Sequence, residues 1–205
     1  TKKEVLQLLN SSDSCLYKSD YKNSLSFSRK ALNFALELKN DDLIARSYNT
    51  IAGNYEEIVE IDKALEYYDK SVYHFEKASN DTLKAAVFNN IGNIYFYRKK
   101  DFPKAIDYYN QSIAISEKIN NVYSVVLSKL NLTSLYFEEK EYKKGIIHLD
   151  YVEKNRDKIR IVDVQGYLYI LLGKKYHYLK EYEQAEFNFK EAIRIGEENN
   201  SKIYL

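Results

Sequence analysis

The chain is 205 residues long, 30% charged and 15% aromatic, with Lys+Arg 31 against Asp+Glu 30. A formal net charge of +1 argues against nucleic-acid binding, which needs a basic excess or stripe. One cysteine, Cys15, excludes an internal disulfide, and the longest apolar stretch, Tyr167 to Leu172, is far short of the roughly 18 residues that span a bilayer.

Six glycines and one proline leave little to interrupt helices, and strand-like alternation bounded by turn residues is absent. Apolar residues recur instead at steps of three and four. They fall into five units, approximately 1–40, 41–80, 81–120, 121–160 and 161–200, each predicted to be two helices of about 16–19 residues joined by a short turn.

The first unit is the poorest, with Ser12 and Cys15 on its first helix and Tyr21 and Ser24 on its second. Asn40–Asp41 can cap the second unit, which carries Ala52, Tyr55, Ile61, Ala64 and Tyr68. Asn80–Asp81 can cap the third. There Val87, Phe88, Ile91, Ile94 and Tyr95 form one stripe, and Ile106, Tyr109 and Ile113 continue it on the following helix. Asp101 followed by Pro103 opens that helix, where a missing N–H costs nothing. Asn120–Asn121 introduces the fourth unit, with Thr133 and Gly145 at its small positions. The fifth carries Gly173, Tyr176, Tyr182, Ala185, Phe189 and Ala192, and Ser201 to Leu205 read as the start of another first helix.

These positions keep phase along the chain. Tyr55, Tyr95, Tyr136 and Tyr176 are spaced 40, 41 and 40 residues apart, and Ser24, Ala64, Ala105, Gly145 and Ala185 keep the same step. A repeat of this length is one supersecondary unit that buries its apolar face only by stacking on its neighbours. One continuous array over 1–205 is the expected organisation.

The offsets within each unit, a small residue, tyrosine three later, an aromatic at the turn, alanine three after that and an aromatic four later, resemble the tetratricopeptide repeat. Its period is usually 34. A step near 40 resembles the long-repeat subgroup of kinesin light chains and many bacterial signalling proteins, and the closing proline is missing here. HEAT and armadillo repeats share the period but not this small–aromatic spacing. The resemblance implies an all-α fold, a right-handed superhelical solenoid of about five helix pairs. The phrases YNTIAGNY at 48–55 and FNNIGNIY at 88–95 also resemble repeat regions of Bacteroidetes regulators, in which a membrane helix and a kinase or DNA-binding domain follow. No methionine occurs in the chain, so an excised or processed region is expected. The compartment stays open between cytoplasm and periplasm, with the resemblance leaning to the periplasm.

Nothing in the sequence points to catalysis, a metal or a cofactor. His74, His148 and His177 lie in different units without metal-ligand spacing, and Gly166, Gly173 and Lys174 lack the spacing of a phosphate loop. The resemblance places the first helices along a concave groove that takes an extended peptide or partner segment. Helical periodicity then selects one stripe from each unit: Arg46, Asn49, Thr50, Gly53 and Glu56; Ala86, Asn89, Asn90, Asn93, Phe96 and Tyr97; Leu127, Leu130, Asn131, Ser134 and Phe137; Tyr167, Ile170, Lys174 and His177. An asparagine amide both donates and accepts, as capture of a peptide backbone requires. Asn90 and Asn131 can equally bridge to neighbouring helices. The alternative is self-association or packing against further domains, for which 21 tyrosines offer contact area with polar tips.

Overall fold

The computed structural model describes residues 1–199. Ten α-helices follow in order: α1 (Lys2–Tyr17), α2 (Tyr21–Glu37), α3 (Asp41–Glu57), α4 (Ile61–Lys77), α5 (Asp81–Asn93), α6 (Phe102–Lys118), α7 (Val122–Glu138), α8 (Tyr142–Lys154), α9 (Val162–Tyr178) and α10 (Tyr182–Glu198). No strand occurs among the described residues, so the fold is all-α. The sixth first helix expected from Ser201 onward lies outside them.

The asparagine caps form where expected. Asn40 Oδ1 accepts from Leu43 N at 3.0 Å, Asn80 Oδ1 from Leu83 N at 3.1 Å and Asn121 Oδ1 from Ser124 N at 3.2 Å. Each satisfies one of the free donors at a helix start. The turns share a second device. Except between α8 and α9, one residue at each turn adopts positive φ, and none of these residues is glycine: Ser19, Lys39, Val59, Ser79, Lys100, Asn120, Lys140 and Lys180. The next N–H then reaches back to close the helix, as Glu60 N does to Tyr55 O at 2.9 Å.

Two helices depart from the expected length. α5 ends at Asn93 and continues as a π-helical turn, Ile94–Arg98, so Asp101 N closes on Tyr95 O one residue later than its counterparts do. This turn absorbs the extra residue behind the 41-residue step. α8 stops at Lys154 and a 3-10 turn, Arg156–Lys158, follows. Ile159 then turns inward, 2% exposed, and its carbonyl accepts from Gln165 Nε2 at 2.8 Å.

The chain divides within α6 into two compact units, Thr1–Ile115 and from Ser116 onward. In the first, α1 packs on α2 and α3 on α4 as hairpins, and α1 also touches α3. Its core runs from Val5, Leu9, Ala31 and Ala35 to Ile51, Tyr68, Phe75 and Ile91. In the second, α7 pairs with α8 and α9 with α10, around Val126, Leu130, Leu149, Val152 and Leu171. Small residues let these helices approach. A Cβ on Gly173 would meet the Phe189 ring at 2.5 Å. In the fourth repeat the pairing is reversed: Gly145 on the second helix faces Phe137 on the first, at 2.6 Å from a built Cβ.

Candidate functional site

The first unit holds a cavity of about 220 Å³ between α1, α3 and α5. All three are first helices of their repeats, and the cavity walls repeat the 40-residue step: Leu6, Arg46 and Ala86 line it, as do Asn10, Thr50 and Asn90. The floor is aliphatic and aromatic, with Leu9, Phe75 and Val87 buried. Leu6 stands at the wall 42% exposed.

The polar lining is unevenly satisfied. Arg46 Nε pairs with Asp42 Oδ2 at 2.7 Å, and Asp42 Oδ1 also accepts from Asn80 Nδ2 at 2.6 Å. The guanidinium is therefore already compensated from within α3. Asn49 lines the cavity while its Oδ1 is buried with no hydrogen-bond partner. Asn90 hydrogen-bonds the Tyr68 hydroxyl of α4, and that hydroxyl donates to Glu56 Oε2 at 3.0 Å. Burial pushes the Glu56 carboxyl up, against the hydrogen bond from Tyr68 and the charge of Arg98. Asp13 lines the cavity with no ion-pair or hydrogen-bond partner among the described residues. It stays open to solvent, yet partial burial pushes its carboxyl above the ordinary value.

Of the stripe residues in this unit, the structure brings Arg46, Asn49, Thr50, Ala86 and Asn90 together. Asn89 is half-buried on α5. Asn93 accepts from the Tyr109 hydroxyl at 2.8 Å and so ties α5 to α6. Phe96, expected on the binding stripe, is 0% exposed and packs on the Phe102 ring at 5.8 Å. The correction has a physical cause: this position faces the start of the paired helix, where Phe96 meets Phe102 and its counterpart Phe137, in an uninterrupted α-helix, is likewise buried against Tyr142.

In the second unit, Phe137 and Lys174 share a cavity of about 370 Å³ with Tyr142, His177, Tyr178 and Phe189. Phe137 is 5% exposed and fills the space that Gly145 leaves, so it belongs to the core as much as to the wall. Tyr167 donates a hydrogen bond to Ser134 Oγ, joining α9 to α7. Asn131 is half-buried on α7. No group of histidine, cysteine and carboxylate side chains suited to a metal occurs among the described residues, and no described helix is long and apolar enough to cross a membrane.

Sequence reasoning missed the contribution of α1. Leu6, Asn10 and Asp13 lie one 40-residue step before Arg46, Thr50 and Gly53, so the signal was present in the phase. It was masked by the weak small–aromatic pattern of the first unit.

Two family models, both described as tetratricopeptide repeat, match residues 44–118 and 166–199, together just over half of the chain. Among curated proteins none matches. Solved structures do. BtubC (BKLC) from P. vanneervenii is 22% identical with a TM-score of 0.81, over 97% of this chain and 82% of that one. A Rap protein complexed with competence and sporulation factor is 18% identical with a TM-score of 0.73, over 96% of this chain and 64% of that one. The nearly identical TPR-like repeats of a kinesin light chain from Podosopora anserina superimpose with a TM-score of 0.69 at 12% identity, over 97% and 98%. At these identities the likeness carries the fold, that of TPR-like helical solenoids.

Proposed function

The chain belongs to the tetratricopeptide repeat family, whose arrays commonly serve as protein–protein interaction modules, and from that premise we propose that it holds an extended peptide segment between α1, α3 and α5. The observation that carries this reading is the convergence of three equivalent helix faces on one cavity. That cavity sets amide side chains beside an aliphatic floor, the combination that grips a backbone and one apolar side chain together. Asn49 adds support. Its unpaired oxygen contributes nothing to the free fold, and a buried orphan of this kind costs about 1–3 kcal/mol. Rotation about χ2 offers the amide to a ligand.

Peptides selected from a random library on the full chain test the proposal. Those specific to this cavity lose affinity in Asn49→Ala and Asn10→Ala, while Asn49→Ala keeps or raises the thermal midpoint. Selected peptides that bind both variants as tightly as the parent would remove the cavity from the site.

We further place the array as the sensory or scaffolding region of a bacterial signalling regulator, on the resemblance of the 48–55 and 88–95 phrases. The fold shared with a Rap protein complexed with competence and sporulation factor adds support. Self-association is the second reading. It is favoured by Tyr182, Phe187 and Ile193 on α10, which are 60%, 61% and 44% exposed. Sedimentation of wild type against Phe187→Glu tests it: a dimer dispersed by the substitution supports it, and a monomer at all concentrations excludes it.

A further inference from the structure

Resting on that reading, we infer that the segment held between α1, α3 and α5 carries a protonated amine beside an aliphatic side chain, with Asp13 as the carboxylate that receives the amine. The charges lining the cavity decide this. Arg46 is its cation, and Arg46 is already committed to Asp42, which Asn80 holds from its other oxygen. An acidic ligand group would meet a guanidinium whose charge Asp42 already balances through Nε, and would face Asp13 as well. Asp13 has no such partner among the described residues, and partial burial already taxes its charge. A group that donates without needing an acceptor completes the site, and an ammonium does so with three N–H bonds. The neighbouring side chains suit it: Thr50, Asn10 and Asn49 line the same space, and each carries an oxygen that can accept. Leu6, Leu9 and Leu83 supply the aliphatic contact, and the exposure of Leu6 means that apolar area is still to be gained on binding.

A lysine side chain and a free amino terminus present the same chemistry, so the experiment separates them. The ¹⁵N-labelled full chain is titrated with four amidated pentapeptides led by leucine: one with a free amino terminus, its acetylated form, an acetylated form with lysine second, and an acetylated form with glutamate second. The amide resonances of Asn10, Asn49 and Asn90 are followed. The inference expects at least one amine-bearing peptide to bind about tenfold more tightly than the acetylated parent, and the arm that does so names the source. Asp13→Asn is expected to erase that preference and leave the acetylated parent unchanged. If all four peptides move these resonances with equal affinity, or the glutamate peptide binds best, the amine inference is wrong while peptide binding in the cavity stands. If no peptide moves them, the cavity reading falls and takes the inference with it. A preference that survives Asp13→Asn also overturns it.

Discussion

A Cβ built on Gly92 would stand 2.6 Å from Cε1 and 2.7 Å from Cδ1 of Tyr109. The ring cannot retreat, because Tyr109 is 0% exposed and its hydroxyl is held by Asn93 Oδ1 at 2.8 Å. Gly92→Ala is therefore expected to cost about 2 kcal/mol, since overpacking outweighs the gain in helix propensity. Gly53 is the control. A Cβ there meets only Tyr68 Oη at 3.9 Å, so Gly53→Ala should stabilise by up to about 1 kcal/mol. Urea denaturation of both variants reads the two signs, and equal signs would refute the packing argument.

Val59 holds φ at 62° in the turn between α3 and α4 and is 63% exposed. A β-branched side chain in the left-handed region is strained by about 1–2 kcal/mol, and little packing offsets it. Val59→Gly should raise stability by about 1 kcal/mol, and Val59→Asn by less. A fall in the thermal midpoint for both would mean that the exposed side chain holds something the backbone geometry does not show.

How much of this was legible in the sequence follows from what a repeat records. The phase of Tyr55, Tyr95 and Tyr136 gave the helix pairs, the turns and even the single inserted residue, because stacked units must match at equivalent contacts. It did not say how the insertion would be absorbed. A longer turn and a π-helical one have the same length, and only the geometry shows which one forms. The Arg46, Asn49 and Asn90 positions were legible because first-helix faces share one offset. That Arg46 is already paired with Asp42 was not. An i, i+4 pair and a free cation read alike in one sequence, and only geometry separates them.

Asn54 is 0% exposed on α3. Its Nδ2 donates to Thr50 O at 2.9 Å and Ser12 Oγ at 3.3 Å, while its Oδ1 has no partner. The equivalent positions in the next two repeats are Ile94 and Leu135, both 0% exposed. Ser12 needs little from Asn54, because Ser12 Oγ also reaches Ser24 O at 2.9 Å. Asn54→Leu, close in shape, should therefore stabilise the chain by about 1 kcal/mol by removing the orphaned acceptor. Chemical denaturation reads the change. A loss greater than 1 kcal/mol, on the order of a buried hydrogen bond, would show instead that Asn54 couples α1 to α3.

His148 occupies the place that Tyr67 and Tyr108 hold in earlier repeats. Tyr55 stacks on Tyr67 at 5.4 Å and 13°, Tyr95 on Tyr108 at 5.5 Å and 6°, and Tyr136 on His148 at 5.7 Å and 3°. The imidazole Nδ1 is buried without a partner. Burial first, and the charge of Lys129 second, hold His148 below its ordinary value of 6.5. The folded chain therefore favours the neutral ring. Its contribution is fully present above 6.5 and is lost as pH falls from there through the lower folded value, because the unfolded chain takes up the proton first. His148→Tyr removes that proton uptake and keeps the stacked pair. Wild type and variant should differ least at about pH 7.5 and increasingly in the variant's favour towards about pH 5. The carboxylates common to both chains cancel in the comparison of urea midpoints. A difference that does not change with pH would mean that the ring titrates alike in the folded and unfolded chain.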